Sequence, residues 1–91
     1  MSYFDDCWNR IRRNAGNQFH TISGLRFTYR IDGNYLIPSR TGYKISKKDF
    51  EKVFRLRPLR GPGEISNEVR GSSYVWAIMH DRRVRRPQSR I

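Results

Sequence analysis

The sequence has little of what covalent cross-links and metal sites are made from. It contains one cysteine, Cys7, and two histidines, His20 and His80, which lie sixty positions apart. A single cysteine excludes an intrachain disulfide and a cysteine-based zinc site. The histidines do not have the spacing of paired metal ligands on a helix. We therefore expect the protein to use no metal and no cofactor.

Long apolar segments are also missing. The longest apolar run, residues 74–79, has six members, whereas a membrane-spanning helix needs roughly 20. The first residues include Asp5 and Asp6 and no extended apolar stretch, which is unlike a secretory signal. We therefore expect a cytoplasmic protein that makes no contact with a membrane.

Acidic residues are scarce, and the basic ones dominate. Eight Asp and Glu face nineteen Lys and Arg, which gives a formal net charge of +11 in 91 residues. Solubility needs no such excess, and the self-repulsion works against a compact fold. A polyanion is therefore the expected partner, and nucleic acid is the commonest polyanion in a cell.

The positive charge is densest at the C-terminus, although it is not confined there. The fourteen basic residues that precede residue 82 still outnumber the eight acidic ones. We predict one small domain over residues 1–81, since two domains would each be too small to bury a core, followed by a basic arm over residues 82–91. The arm holds five arginines: Arg82, Arg83, Arg85, Arg86 and Arg90.

Two segments have the pattern of amphipathic helices. In residues 3–14 the apolar side chains Phe4, Trp8 and Ile11 recur at helical spacing. In residues 47–56 a second apolar stripe follows Ser46, and Asp49 completes a capping-box pattern. A third segment, residues 74–79, fits either a buried strand or a helix, and we favour the helix.

Between the first two helices the period changes to that of strands. Residues 19–22, 25–31 and 35–37 predict three antiparallel strands, with turn signals at Ser23–Gly24 and residues 32–34. The length of the second turn decides whether Leu36 or its neighbours face the core. The predicted fold is therefore α+β, a three-stranded meander backed by the second helix.

The central predicted strand alternates apolar residues with Arg26, Thr28 and Arg30, which would stand about 7 Å apart on one face. A ribbon of strands fits the DNA major groove, where arginine bonds guanine and threonine contacts the thymine methyl. In outline, residues 18–56 are similar to plant ethylene-response-type domains and phage-integrase arm-binding domains, although no motif is shared. The alternative is that this face is merely the solvated side of the sheet.

The segment that follows, residues 38–44, mixes basic residues, hydroxyls and a glycine. Arg40 and Lys44 are predicted to contact phosphates, together with the arginines of the tail, Arg82, Arg83, Arg85 and Arg86. Tyr43 would either stack on an unpaired base or pack beside Ile45.

The sequence thus predicts a small nucleic-acid-binding protein with no catalytic residues, and DNA is favoured over RNA as the partner. Two alternatives stay open. One is a protein-interaction module with an acidic partner, and the other is a metal-independent ribonuclease of the small toxin type, with His20 or a tyrosine moving the proton. A homo-oligomer also remains open.

Overall fold

The computed structural model describes residues 3–56, 69 and 71–85. Within these residues the chain forms three helices and five short strands. In chain order they are α1 (Tyr3–Arg13), β1 (Phe19–His20), β2 (Arg26–Phe27), β3 (Tyr29–Asp32), β4 (Tyr35–Pro38), β5 (Ile45–Ser46), α2 (Lys47–Leu56) and α3 (Ser72–Met79). The predicted α+β class is confirmed.

Helix α1 has the end charges and the buried apolar face that its sequence predicts. Asp5 lies in its first turn and Arg12 in its last turn, so each charge complements the helix dipole. Its buried residues are Phe4, Cys7, Trp8 and Ile11. The helix predicted over residues 3–14 is therefore confirmed to within one residue.

The three-stranded meander is present, in the antiparallel order β3–β4–β5. Asp32 pairs with Tyr35 across a two-residue turn, in which Gly33 takes the positive φ that such turns require. This turn settles the register that the sequence left open. Leu36 is fully buried, whereas Tyr35 is 45% exposed.

The strands of the meander differ from those predicted. The predicted strand over residues 25–31 is interrupted at Thr28, so β2 pairs with β1 in a separate two-stranded ribbon. The Thr28 N–H donates to the Ser39 hydroxyl (3.0 Å) instead of to a strand carbonyl. The third strand of the meander is β5, because Ile45 pairs with the buried Leu36.

Helices α2 and α3 complete the layer that covers the core. The hydroxyl of Ser46 accepts the Asp49 N–H (3.2 Å), as the capping pattern predicts, and α2 buries Phe50 and Val53. Residues 72–79 are helical, which confirms the favoured alternative, and this helix buries Val75 and Ile78 among others.

The core is held together by aromatic contacts between these elements. One group joins α1 to α2: Trp8 packs on Phe50 with ring centroids 5.7 Å apart. Another group joins the ribbon to α3: Phe27 meets Tyr74 edge-on at 4.9 Å. Large rings thus bury much apolar area in a short chain.

Gly71 stands at a crowded point of this core. It caps α3 with a φ of 71°, and a Cβ there would lie 3.1 Å from the Ile45 Cδ1 and 3.3 Å from the Tyr43 Cδ2. Gly33 has a similar φ of 63°, but nothing lies within 4 Å of its would-be Cβ. Substitution of Gly33 therefore tests the cost of backbone strain alone, whereas substitution of Gly71 tests strain and crowding together.

We expect Gly71→Ala to lower the free energy of unfolding by about 2–4 kcal/mol, the combined cost of left-handed backbone and overpacking. Gly33→Ala should lower it by about 1–2 kcal/mol, since only the backbone cost applies. Urea denaturation of both variants measures the difference. Equal losses would show that the space around Gly71 is not limiting.

Tyr29 connects α1 to the sheet. Its ring is buried, and its hydroxyl donates a 2.6 Å hydrogen bond to the carbonyl oxygen of Ile11. Burial raises the pKa of the Tyr29 phenol well above its ordinary value of 10.0, because the charged phenolate would lose its hydration. The folded chain thus holds this proton more tightly than the unfolded chain does.

At neutral pH, Tyr29→Phe should lower the free energy of unfolding by about 1 kcal/mol through the lost hydrogen bond. The contribution of Tyr29 is complete below pH 10 and declines as the pH rises above it, because the unfolded chain then releases a proton that the folded chain keeps. The difference in the free energy of unfolding between wild type and Tyr29→Phe should therefore become smaller above pH 10, which denaturation curves at several pH values would measure. The exposed-ring control, Tyr35→Phe, should not reproduce this narrowing.

Candidate nucleic-acid interface

A cleft opens beside β3 and β4, on the side away from Leu36. We call it the β3–β4 cleft. Its volume is about 400 Å³, and the side chains that define its chemistry are Thr28, Arg30, Ile37, Ser39, Thr41 and Lys44. The structure therefore brings three of the predicted site residues, Thr28, Arg30 and Lys44, to one place.

The loop between β4 and β5 shapes the cleft through its own hydrogen bonds. The Thr41 N–H donates to the carbonyl of Pro38 (3.3 Å), which closes a turn where Pro38 ends the strand. The Tyr43 N–H then donates to the Thr41 hydroxyl (2.9 Å), a short side-chain turn that serine and threonine favour. At the strand break, the Ser39 N–H donates to the Thr28 carbonyl (2.8 Å).

The hydroxyls of Ser39 and Thr41 are oriented by this arrangement. Each oxygen accepts a backbone N–H, from Thr28 and from Tyr43 respectively. A hydroxyl that accepts in this way keeps its own O–H to donate. Two donors are thus fixed at the lip of the cleft, which favours an anionic ligand.

Two cations complete the polar side of the cleft. Arg30 on β3 and Lys44 before β5 are both exposed and line the cleft, whereas none of the acidic residues that the structure describes does. Within the described part of the chain neither makes an ion pair. Positive charge is therefore left without compensation at this place.

One wall of the cleft is apolar. Ile37 pairs with Arg30 across the two strands, so both side chains stand on the same face of the sheet. Ile37 is only 8% exposed, although it lies on the face that alternation predicts to be solvated. The cleft thus combines cations and hydroxyls with an aliphatic surface.

Two other predicted site residues lie outside the cleft. Arg26 is exposed on β2, where it pairs with His20 in the separate ribbon, so the strand break divides it from Arg30. Arg40 is exposed in the loop but does not line the cleft. Tyr43 has one ring edge against the position of Gly71, in agreement with the packing alternative.

The start of the predicted arm is packed on the domain. Val84 is fully buried, and its carbonyl accepts a 2.6 Å hydrogen bond from the Arg10 Nε. The packed part of the chain therefore reaches at least residue 85, beyond the boundary predicted after residue 81. Arg82 and Arg85 are exposed. Arg86 and Arg90 lie outside the described residues.

Arg83 is already engaged by the fold. Its guanidinium forms a two-pronged contact with Asp81 (2.8 and 2.9 Å) and donates to the Gln18 carbonyl (2.8 Å). The guanidinium carbon lies 4.1 Å from the centre of the Phe19 ring. Although partial burial opposes ionisation, the hydrogen bonds from Arg83 hold the pKa of the Asp81 carboxyl below its ordinary value.

Catalytic and metal-binding features are sparse in the part of the chain that the structure covers. No three His, Cys, Asp or Glu side chains cluster there as metal ligands would. Cys7 is buried with its Sγ 4.0 Å from the Met79 Sδ. None of the helices seen has both the length and the apolar composition needed to cross a membrane.

The sequence indicated hydroxyl donors on both sides of Arg40 in the segment 38–44. It did not indicate Ile37 as part of the site.

The wider comparisons give no relative. No model of a known protein family, no curated protein and no solved structure matches this chain.

Arg83→Gln should lower the free energy of unfolding by about 1–2 kcal/mol, because the charge-assisted bonds and the contact with Phe19 are lost. The neighbouring change Arg82→Gln alters the net charge equally and should cost less than about 0.5 kcal/mol. Urea denaturation at neutral pH distinguishes the two.

The contribution of the Asp81–Arg83 contact to the free energy of unfolding should depend on pH. The stability that Asp81 gains from Arg83 is present above its ordinary pKa of 3.8 and is lost as the pH falls through its lower folded pKa. The difference in the free energy of unfolding between wild type and Arg83→Gln should therefore become smaller below about pH 4. A constant gap would mean that the Asp81 contact contributes little.

Proposed function

We propose that this protein binds nucleic acid, DNA in preference to RNA, with the β3–β4 cleft holding the phosphate backbone. The observation that carries the proposal is the meeting of Arg30 and Lys44 with the hydroxyls of Ser39 and Thr41 in a cleft that is lined by none of the acids among residues 3–56, 69 and 71–85. Phosphates are bound by such groups: arginine, lysine, hydroxyls and backbone N–H.

The charge of the chain supports the same assignment. Among the described residues, the acids Asp5, Glu51 and Asp81 form ion pairs with Lys47, Arg55 and Arg83. These pairs lie on the helices and near Phe19, away from the cleft. The compensation of charge is therefore placed where it supports the fold, and the cleft keeps its positive potential.

Flanking residues extend the proposed interface. Arg26 is exposed on β2, and Arg40 is exposed in the loop between β4 and β5. Arg82 and Arg85 are exposed after α3. A role of Arg26, Thr28 and Arg30 in reading base edges remains a hypothesis. Arg83 is left out of the interface, because Asp81, Gln18 and Phe19 already hold its guanidinium.

The test is fluorescence anisotropy of labelled duplex DNA, single-stranded DNA and structured RNA, titrated with the full chain at several salt concentrations. Arg30→Gln and Lys44→Gln should each weaken binding and reduce the slope of log affinity against log salt by about one, because one phosphate contact is lost. DNA should be bound more tightly than RNA.

Lys52→Gln is the matched control. It removes one positive charge from the exposed side of α2, away from the cleft, and should change the affinity much less. If all three variants lowered the affinity equally, the binding would be explained by net charge alone and not by the cleft. No binding near physiological salt would contradict the proposal and favour an acidic protein partner.

A further inference from the structure

We infer that the β3–β4 cleft takes a single unpaired nucleotide of a single-stranded nucleic acid, with the phosphate at Arg30 and Lys44 and the nucleoside against Ile37. This inference rests on the proposed function, because it names the part of the nucleic acid that enters the cleft. It is carried by the size of the cleft and by its lining, which combines two cations and two hydroxyls with the aliphatic Ile37.

The size of the cleft exceeds the needs of a lone anion. Its volume of about 400 Å³ falls in the range of roughly 300–1,000 Å³ that small-molecule sites occupy. A phosphate group on the surface of a duplex needs only a few donors and no cleft. A cleft of this size has room for a sugar or a base beside the phosphate.

The polar side of the cleft suits a phosphate monoanion or dianion. Arg30 presents a planar fork of donors, and Lys44 adds a point charge. The O–H groups of Ser39 and Thr41 are free to donate because their oxygens already accept backbone N–H groups. The oxygens of both hydroxyls are therefore held in place before an anion binds, which lowers the entropic cost of binding.

The apolar side of the cleft suits a sugar or base. Ile37 lines the cleft and adds a small aliphatic patch, since 8% of its surface stays accessible, and Gly42 lines the cleft without a side chain. A base stacked in a duplex has no free face for such a contact, whereas an unpaired base has one.

The cleft also predicts little discrimination among bases. Its cations and hydroxyls are assigned to the phosphate, and an aliphatic side chain such as Ile37 contacts any base. Single-strand binding of this kind depends on the backbone charge and on apolar contact with the bases. We therefore expect the unpaired nucleotide to be accepted whichever base it carries.

The experiment is an NMR titration of the ¹⁵N-labelled full chain with thymidine 5′-monophosphate, with thymidine and with inorganic phosphate, at one pH and salt concentration. The monophosphate should shift the amide signals of Thr28, Ser39, Thr41 and Gly42. It should saturate at a concentration about tenfold or more below either fragment, because both sides of the cleft contribute. Adenosine 5′-monophosphate should behave similarly.

Variants then locate the two halves of the ligand. Arg30→Gln should weaken monophosphate binding about tenfold while thymidine shifts stay unchanged, since only the phosphate contact is lost. Lys52→Gln should leave both titrations as in the wild type. Because Arg30 is exposed, this substitution leaves the core intact, and the wild-type comparison of the three ligands needs no variant at all.

Three outcomes would overturn the inference. They are equal binding of inorganic phosphate and the monophosphate, shifts spread over all the basic surfaces, and the absence of any shift. Oligonucleotide binding by anisotropy that persists without a mononucleotide response would overturn this inference and leave the proposed function standing. The loss of both responses would contradict both.

Discussion

The contact of Tyr29 with Ile11 is the interaction on which most of this structure depends. The phenol oxygen ties β3 to α1, the ring packs on Phe19 with centroids 5.2 Å apart, and the carbonyl of Tyr29 accepts the Gly16 N–H (2.9 Å). One residue thus fixes the helix, the ribbon and the sheet relative to one another. Since Tyr29 also borders the β3–β4 cleft, the cleft stands on the most constrained strand of the domain.

Electrostatics divide the molecule into two kinds of surface. Three of the described acids pair with cations: Asp5 and Glu51 do so on the helices, and Asp81 does so with Arg83 after α3. A simple exposed pair such as Glu51 with Arg55 contributes little to stability, but it neutralises the surface locally. The other basic residues that the structure describes form no ion pair, and self-repulsion is the stability cost that a binding function would explain.

The sequence predicted the helices well because their signals are local: apolar spacing, the Ser46 cap and the dipole charges all act within one segment. The strand assignments were poorer, because contacts distant in sequence decide them. The capture of the Thr28 N–H by Ser39 and the pairing of Ile45 with Leu36 leave no local pattern. The packing of Arg83 on Phe19 is of the same kind, although Val84, a lone apolar residue among arginines, was a signal that the chain packs there.

The double use of the Ser39 and Thr41 hydroxyls couples the cleft to the fold. Their oxygens accept the backbone N–H groups of Thr28 and Tyr43, so replacing either residue should affect the stability of the loop as well as ligand binding at the proposed site. Among the described contacts, the side chains of Arg30 and Lys44 form no hydrogen bond or ion pair that stabilises the fold. In the proposed interface, substitutions at the two cations would therefore change anion binding without disturbing the loop, whereas substitutions at the two hydroxyls would change both.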